Sequence, residues 1–170
     1  MKLCIFAGTF NPIHRAHLNM AQYALDNYGF DKILFIPAYK PPHKNTALCE
    51  HRLKMVELAI KNNPHFEISD IEYKRQGKSY TYLTILELYK LYNIDGKINF
   101  IIGKDAYEKI DTWYESQKLQ QLIDFVIFDR AEEDISSSKV RKRIKENLPV
   151  SDLVTKEVEE YIYKNGLYRD

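Results

Sequence analysis

This sequence is poor in the residues that build specialised scaffolds. Its 170 residues include two cysteines, six glycines and six prolines. Two thiols cannot form a disulfide framework. Cys4 lies in an apolar run and Cys49 beside a charged helix, with no zinc-ligand spacing, so both read as reduced thiols and no metal site is expected. So little glycine and proline excludes collagen-like and linker-rich architectures. Charge of one sign is lacking too. Lys+Arg number 25 and Asp+Glu 24, a net charge of +1, which argues against a general nucleic-acid coat protein. No long hydrophobic run occurs: before the first glycine the chain offers only Lys2 and the stretch 3–7. That is too short for a signal peptide or a membrane span, so a cytoplasmic location is expected. Walker A, GxGxxG, GxSxG and HExxH patterns are all missing. What remains is ordinary. Hydrophobic residues are 45% and charged residues 29%, which suits one well-cored domain over residues 1–170.

Patterning predicts alternating strands and helices. Residues 2–7 (KLCIFA) read as a buried strand, 14–28 as a helix, 32–36 (KILFI) as a second strand stopped by Pro37, and 38–47 as a loop around Pro41-Pro42. A helix over 50–62 ends before Pro64. A third strand covers 66–71, a helix with Thr81 as N-cap covers 81–92, and strands follow at 97–102 and 125–128. C-terminal helices are expected at 137–147 and about 151–165, with Gly166 as the residue past the last one. Several strands are continuous apolar runs. That argues a parallel sheet covered on both faces, a Rossmann-like, doubly wound α/β fold. Ligands of such folds sit at the carboxyl ends of the strands, so the loops after Ala7, Ile36, Ile71, Ile102 and Phe128 are the informative ones.

The first of these loops reads Gly8-Thr9-Phe10-Asn11-Pro12-Ile13-His14-Arg15-Ala16-His17. A glycine ends the strand, and His14 and His17 share one face of a helix start. The helix dipole and open N–H groups there favour an anion, and two imidazoles beside them suit phosphate oxygens. Such a pair is also half of a metal site, or two surface histidines. In the second loop six basic side chains (Lys40, His43, Lys44, His51, Arg52, Lys54) stand against one acid, Glu50, between residues 40 and 54. That run suits a polyphosphate or is a solvated charge run.

Three further stretches are weaker alone. Residues 79–84 (SYTYLT) offer hydroxyls and N–H groups at a helix start, which is also what an ordinary cap looks like. Gly103 ends a strand where a ligand can approach backbone, Asp105 suits ribose hydroxyls, and Trp113 suits a flat heterocycle or the core. Ile135, Ser136, Ser137 and Ser138 open a helix carrying Lys139, Arg141, Lys142 and Arg143. That is a phosphate cradle or a serine cap on a basic helix.

Taken together the motifs resemble the nucleotidyltransferase family marked by a (T/H)xGH motif near the N-terminus and an ISSTxxR-type motif near the C-terminus. They are closest to its bacterial nicotinate-nucleotide adenylyltransferases. The pieces are GTFNPIHRAH at 8–17, PAYKPPHK at 37–44, Arg52, SYTYLT at 79–84, IIGKD at 101–105 with Trp113, FVIFDR at 125–130, ISSSKVR at 135–141 and VEEYIYKNGLY at 158–168. They run in order over nearly the whole chain. Ala16 replaces the usual Gly, Ser138 the usual Thr, and only four residues separate Arg130 from Ile135, fewer than in most relatives.

The resemblance implies adenylyl transfer from ATP to nicotinate mononucleotide, giving deamido-NAD and pyrophosphate, with Mg²⁺ on the triphosphate. It assigns His14, His17 and Arg141 to catalysis. Gly8, Thr9, Phe10, Gly103, Asp105, Ile135, Ser136, Ser137 and Ser138 join them in binding ATP, and Lys44, Tyr80, Thr81 and Trp113 bind the second substrate. The helices from about 137 are expected to pack at the nucleotide site. The expected partners are these small molecules, without nucleic acid or membrane, in a monomer or homodimer. Three alternatives stand beside this reading. One is a sister transferase using nicotinamide mononucleotide or phosphopantetheine. The others are a class I aminoacyl-tRNA synthetase fragment, and an RNA-binding protein using the basic 139–145 helix.

Overall fold

The computed structural model describes residues 1–39, 49–75, 80–129 and 135–169. Five strands form one all-parallel sheet: β1 (Leu3–Gly8), β2 (Lys32–Pro37), β3 (Phe66–Ile68), β4 (Ile98–Gly103) and β5 (Ile123–Phe128), in the order β3-β2-β1-β4-β5. Residues Leu3 to Phe6 are essentially inaccessible. Alternation along the strand sends Cys4 and Phe6 to one face, and Leu3 and Ile5 to the other. Helices cover both faces, which is why the strand is apolar throughout. On the first face lie α1 (Arg15–Tyr28), α2 (Cys49–Ile60), α7 (Ser137–Lys145) and α8 (Lys156–Lys164). The second carries α4 (Thr81–Leu91) and α6 (Ser116–Leu122). Short helices α3 (Ile71–Arg75) and α5 (Lys104–Glu108) follow β3 and β4 at once. The expected doubly wound α/β fold is what the chain adopts.

The register brings the informative strand ends level. Gly8 pairs with Pro37 and Gly103 with Phe128. Ile5 pairs with Phe100, and the same offset carried three residues on sets Gly8 opposite Gly103. Strand order reverses between β1 and β4, so these two glycines flank the switch point where a crevice opens.

Several expected boundaries move. The third strand stops at Ile68, because Ser69 Oγ accepts the Ile71 N–H and the Asp70 carbonyl accepts the Lys74 N–H, starting α3 instead. Tyr80, not Thr81, is the N-cap of α4: its backbone is extended and its carbonyl accepts the Thr84 N–H. His14 is likewise the N-cap of α1 rather than its first turn. The last helix opens at Lys156, capped by Thr155 Oγ1 accepting from Val158 N–H, rather than near residue 151. Gly166 takes the expected left-handed place beyond it. No helix among the described residues is long and apolar enough to cross a membrane.

Candidate active site

Two of the cavities among the described residues open where the strands β1 and β4 end. The first, about 270 Å³, is walled by His14, Ala16, His17 and Met20 of the α1 start and by Ile135 to Ser138 of the α7 start. The His14 and His17 rings stack with centroids 3.7 Å apart. The His14 backbone N–H donates to His17 Nδ1 at 3.1 Å. That bond makes Nδ1 an acceptor, so the neutral ring carries its proton on Nε2. Behind the imidazole stands Phe10, edge-on at 5.0 Å and buried with Phe6 and Phe35. What Phe10 offers a ligand is therefore backbone, because its ring belongs to the core.

The serine run divides its labour. Ser136 Oγ caps α7, accepting from the Lys139 N–H. Ser137 Oγ donates to the Pro12 carbonyl at 2.9 Å. Ser138 Oγ accepts from one Arg141 nitrogen at 3.1 Å, and the other donates to the Asn11 carbonyl at 2.6 Å. So α7 is bonded to the loop that precedes the histidines, and its open end and theirs face one cavity. Two helix starts and two imidazoles make a wall of donors suited to a chain of phosphates, and the Arg141 guanidinium, though not in the lining, sits one bond behind it on Ser138.

The second cavity, about 420 Å³, lies at the β1–β4 switch point. Gly8, Thr9, Gly103, Ala106, Thr81 and Trp113 line it, with Ile36 and Ala38 from the β2 end. The Trp113 ring meets Phe100 edge-on at 6.0 Å, leaving an indole in the wall. Tyr80 does not join the lining; its ring stacks on Tyr114 at 4.4 Å. Asp105 is exposed on the first turn of α5, between the two lining residues Gly103 and Ala106 in sequence but not itself in the lining. Lys44, like the rest of the basic 40–48 stretch, lies outside the described residues, as does Ser79.

Two residues not assigned to either substrate matter here, and one of them, Arg52, comes from the basic run expected to suit a polyphosphate. Glu72, 8% exposed on α3, is the one carboxylate among the described lining residues of the second cavity. Arg52 is wholly buried on α2 and donates to the carbonyls of Thr9 and Ala38 at 2.7 Å and of Tyr39 at 3.1 Å. It ties the end of β1 to the end of β2. Its spacing carried a signal: 49, 52, 55, 56 and 60 form the buried stripe of α2, with a cation at one place. Glu72 follows Ile71, at one of the strand ends expected to be informative, but no motif singled out the residue itself.

Beside Arg52, the Tyr73 hydroxyl donates to the Cys49 carbonyl. Burial pushes this phenol up to about 12, against the pull of the Arg52 cation. The folded chain thus holds the proton more tightly than the unfolded one. Tyr73's contribution is complete below about pH 10 and is lost as pH rises through its folded value. Urea midpoints measured across that alkaline window should fall less steeply in Tyr73→Phe than in the wild type. Parallel curves would mean the phenol is not held as described.

Residues 5–143 match the cytidylyltransferase-like family. The chain belongs to that family. Among its members, nicotinate-nucleotide adenylyltransferase of Bacillus subtilis is 37% identical over 98% of this chain and 98% of its own. A Staphylococcus epidermidis protein named probable nicotinate-nucleotide adenylyltransferase is 39% identical over 99% of this chain and 98% of its own. The fold is shared with Plasmodium falciparum nicotinic acid mononucleotide adenylyltransferase, solved with NaAD. The TM-score is 0.80 at 20% identity, covering 98% of this chain and 97% of that one. The branch that the motifs resemble is the branch these relatives occupy.

Proposed function

We propose that the chain transfers the adenylyl group of ATP to nicotinate mononucleotide, releasing pyrophosphate and deamido-NAD. One observation carries the assignment of residues: the single stretch from Gly8 to His17 borders both cavities. It can therefore present a triphosphate from one side to a phosphorylated acceptor on the other. The names of the full-length relatives support the choice of substrates.

The chemistry asks for no nucleophile from the protein. A phosphate oxygen of the mononucleotide forms the new P–O bond at the α-phosphorus, and the bond to the bridging oxygen of pyrophosphate breaks. The protein's part is alignment and charge stabilisation. In this reading His17 donates from Nε2 to the oxygens that gain charge, with His14 stacked against it. Arg141, the open end of α7 and Ser138 hold the departing phosphates. Gly8, Gly103 and the Phe10 backbone leave room for the nucleoside, and Asp105 takes ribose hydroxyls. Imidazole N–H and guanidinium groups donate to phosphate oxygens and are not ligands for a hard cation, and the Ser136, Ser137 and Ser138 hydroxyls are engaged within the protein. Mg²⁺ is accordingly assigned to the triphosphate oxygens and water, arriving with ATP. Trp113 stacks on the pyridine ring. The same reading places the reaction in the cytoplasm.

The substrate carboxylate is assigned to the start of α4, where Thr81 lines the cavity. Helix N–H groups accept a carboxylate, whereas a carboxamide aims its own N–H₂ at donors and leaves them unpaired. Unpaired groups of that kind discriminate by up to several powers of ten. With ATP, Mg²⁺ and either mononucleotide, pyrophosphate release should show a kcat/KM at least about tenfold higher for the acid. Equal or higher efficiency with nicotinamide mononucleotide would favour the sister transferase, and no turnover of either would remove the reading.

A further inference from the structure

The family match ends at residue 143, yet the chain beyond it reaches back into the phosphate-binding loop. The Tyr168 hydroxyl donates to Asn11 Oδ1 at 2.6 Å, across 157 residues of sequence. The Leu153 carbonyl accepts the Arg15 N–H at 2.8 Å, fixing the same helix start from another side. Asn11 is therefore held twice. Its side chain is bound by Tyr168 and its carbonyl by Arg141.

The backbone on both sides of that contact is strained. Phe10, next to Asn11, has φ 50°, and Tyr168 has φ 66°. A left-handed conformation costs a residue with a Cβ roughly 1–2 kcal/mol, and it persists where surrounding contacts over-determine it. At the C-terminal end, left-handed Gly166 turns the chain back, Leu167 is buried and its N–H donates to the Ile162 carbonyl. These contacts aim the Tyr168 ring inward, against the core that also holds Phe10. Burial raises the phenol well above the usual tyrosine range, with Arg141 and Arg52 both close enough to oppose it. At neutral pH the group is a donor.

We propose that Tyr168 is a positioning residue for adenylyl transfer: it clamps Asn11, and Asn11 sets the guanidinium of Arg141 for the triphosphate. Arg141 has donors to share between the Asn11 carbonyl and a phosphate. Sharing them without losing alignment requires that Asn11 stay put when Arg141 engages its ligand, and the tyrosine supplies the second tether. The inference rests on the adenylyl-transfer reading for its kinetics, but not for its binding test.

Tyr168→Phe removes one oxygen and keeps the packing. Displacements near 1 Å at such sites cost about 10²-fold in rate, and a loosened tether should cost part of that. In the variant, kcat should fall about 5- to 20-fold and the dissociation constant of a non-hydrolysable ATP analogue with Mg²⁺ should rise at least about threefold. The KM for the mononucleotide should stay within about twofold. Asn11→Ala should reproduce the effect, and the double variant should be no worse than the poorer single one, because both remove one bond. Tyr163→Phe, at an exposed tyrosine of α8, should change nothing. Kinetics and analogue binding within about twofold of wild type in Tyr168→Phe, or losses that multiply in the double variant, would overturn the proposal. So would a fall in both substrates' parameters that tracks a lowered unfolding temperature. If the wild type turns over no mononucleotide, the reading of function fails, and analogue binding alone still decides the clamp.

Discussion

His17→Ala is expected to lower kcat by about 10²-fold or more, the cost of removing one donor aimed at developing charge. The local geometry says why the loss falls on rate. His17 Nδ1 is committed to the His14 backbone N–H, so the proton the ring presents is on Nε2. Phe10 and His14 hold the ring on two sides, which preorganises that donor. Alanine leaves the N-cap N–H of His14 without its acceptor as well, so a modest fall in unfolding temperature should accompany the kinetic loss. The KM for the mononucleotide should barely move, since its assigned pocket is the other cavity. Steady-state kinetics in both substrates check this. A kcat within about threefold of wild type would remove His17 from the chemistry.

The largest stability effect is expected at Arg52. Replacing it by alanine opens a void and takes the Arg52 donors from the carbonyls of Thr9 and Ala38, while the Tyr39 carbonyl keeps only the Cys49 thiol. An orphaned buried polar group costs about 1–3 kcal/mol, so a total on the order of 3–5 kcal/mol is expected, offset in part by relief of the buried charge. For a chain of this size that lowers the unfolding temperature by on the order of 10 °C. Arg52→Lys should recover only part, because one ammonium cannot span carbonyls on two loops. A shift below about 2 °C in Arg52→Ala would show that the two strand ends are held by something else.

What was legible in the sequence follows from range. β1, β2 and β4 are runs of apolar residues covered on both faces, and such runs announce themselves. The start of α1 was legible because glycine, an imidazole pair and a helix onset coincide within ten residues. Helices of five to seven residues, α3, α5 and α6, were not, because so few turns leave no period to read. Tyr80 displaced Thr81 as N-cap because a cap is defined by backbone geometry and by which carbonyl starts the ladder. The side chain that looks best suited does not decide it. The contacts of Arg52, Glu72 and Tyr168 escaped for a different reason, although Arg52 and the 158–168 stretch were among the matching motifs. Their partners lie far away in sequence, and only the closed sheet brings Thr9 to Arg52 and Asn11 to Tyr168.

The central claim is that the site aligns two phosphates and lends no nucleophile. Stereochemistry at the transferred phosphorus tests it most directly. ATP made chiral at the α-phosphorus with sulfur should give a dinucleotide of inverted configuration, the outcome of a single in-line displacement. Retention would require two displacements through a covalent adenylyl-protein, and would contradict the account.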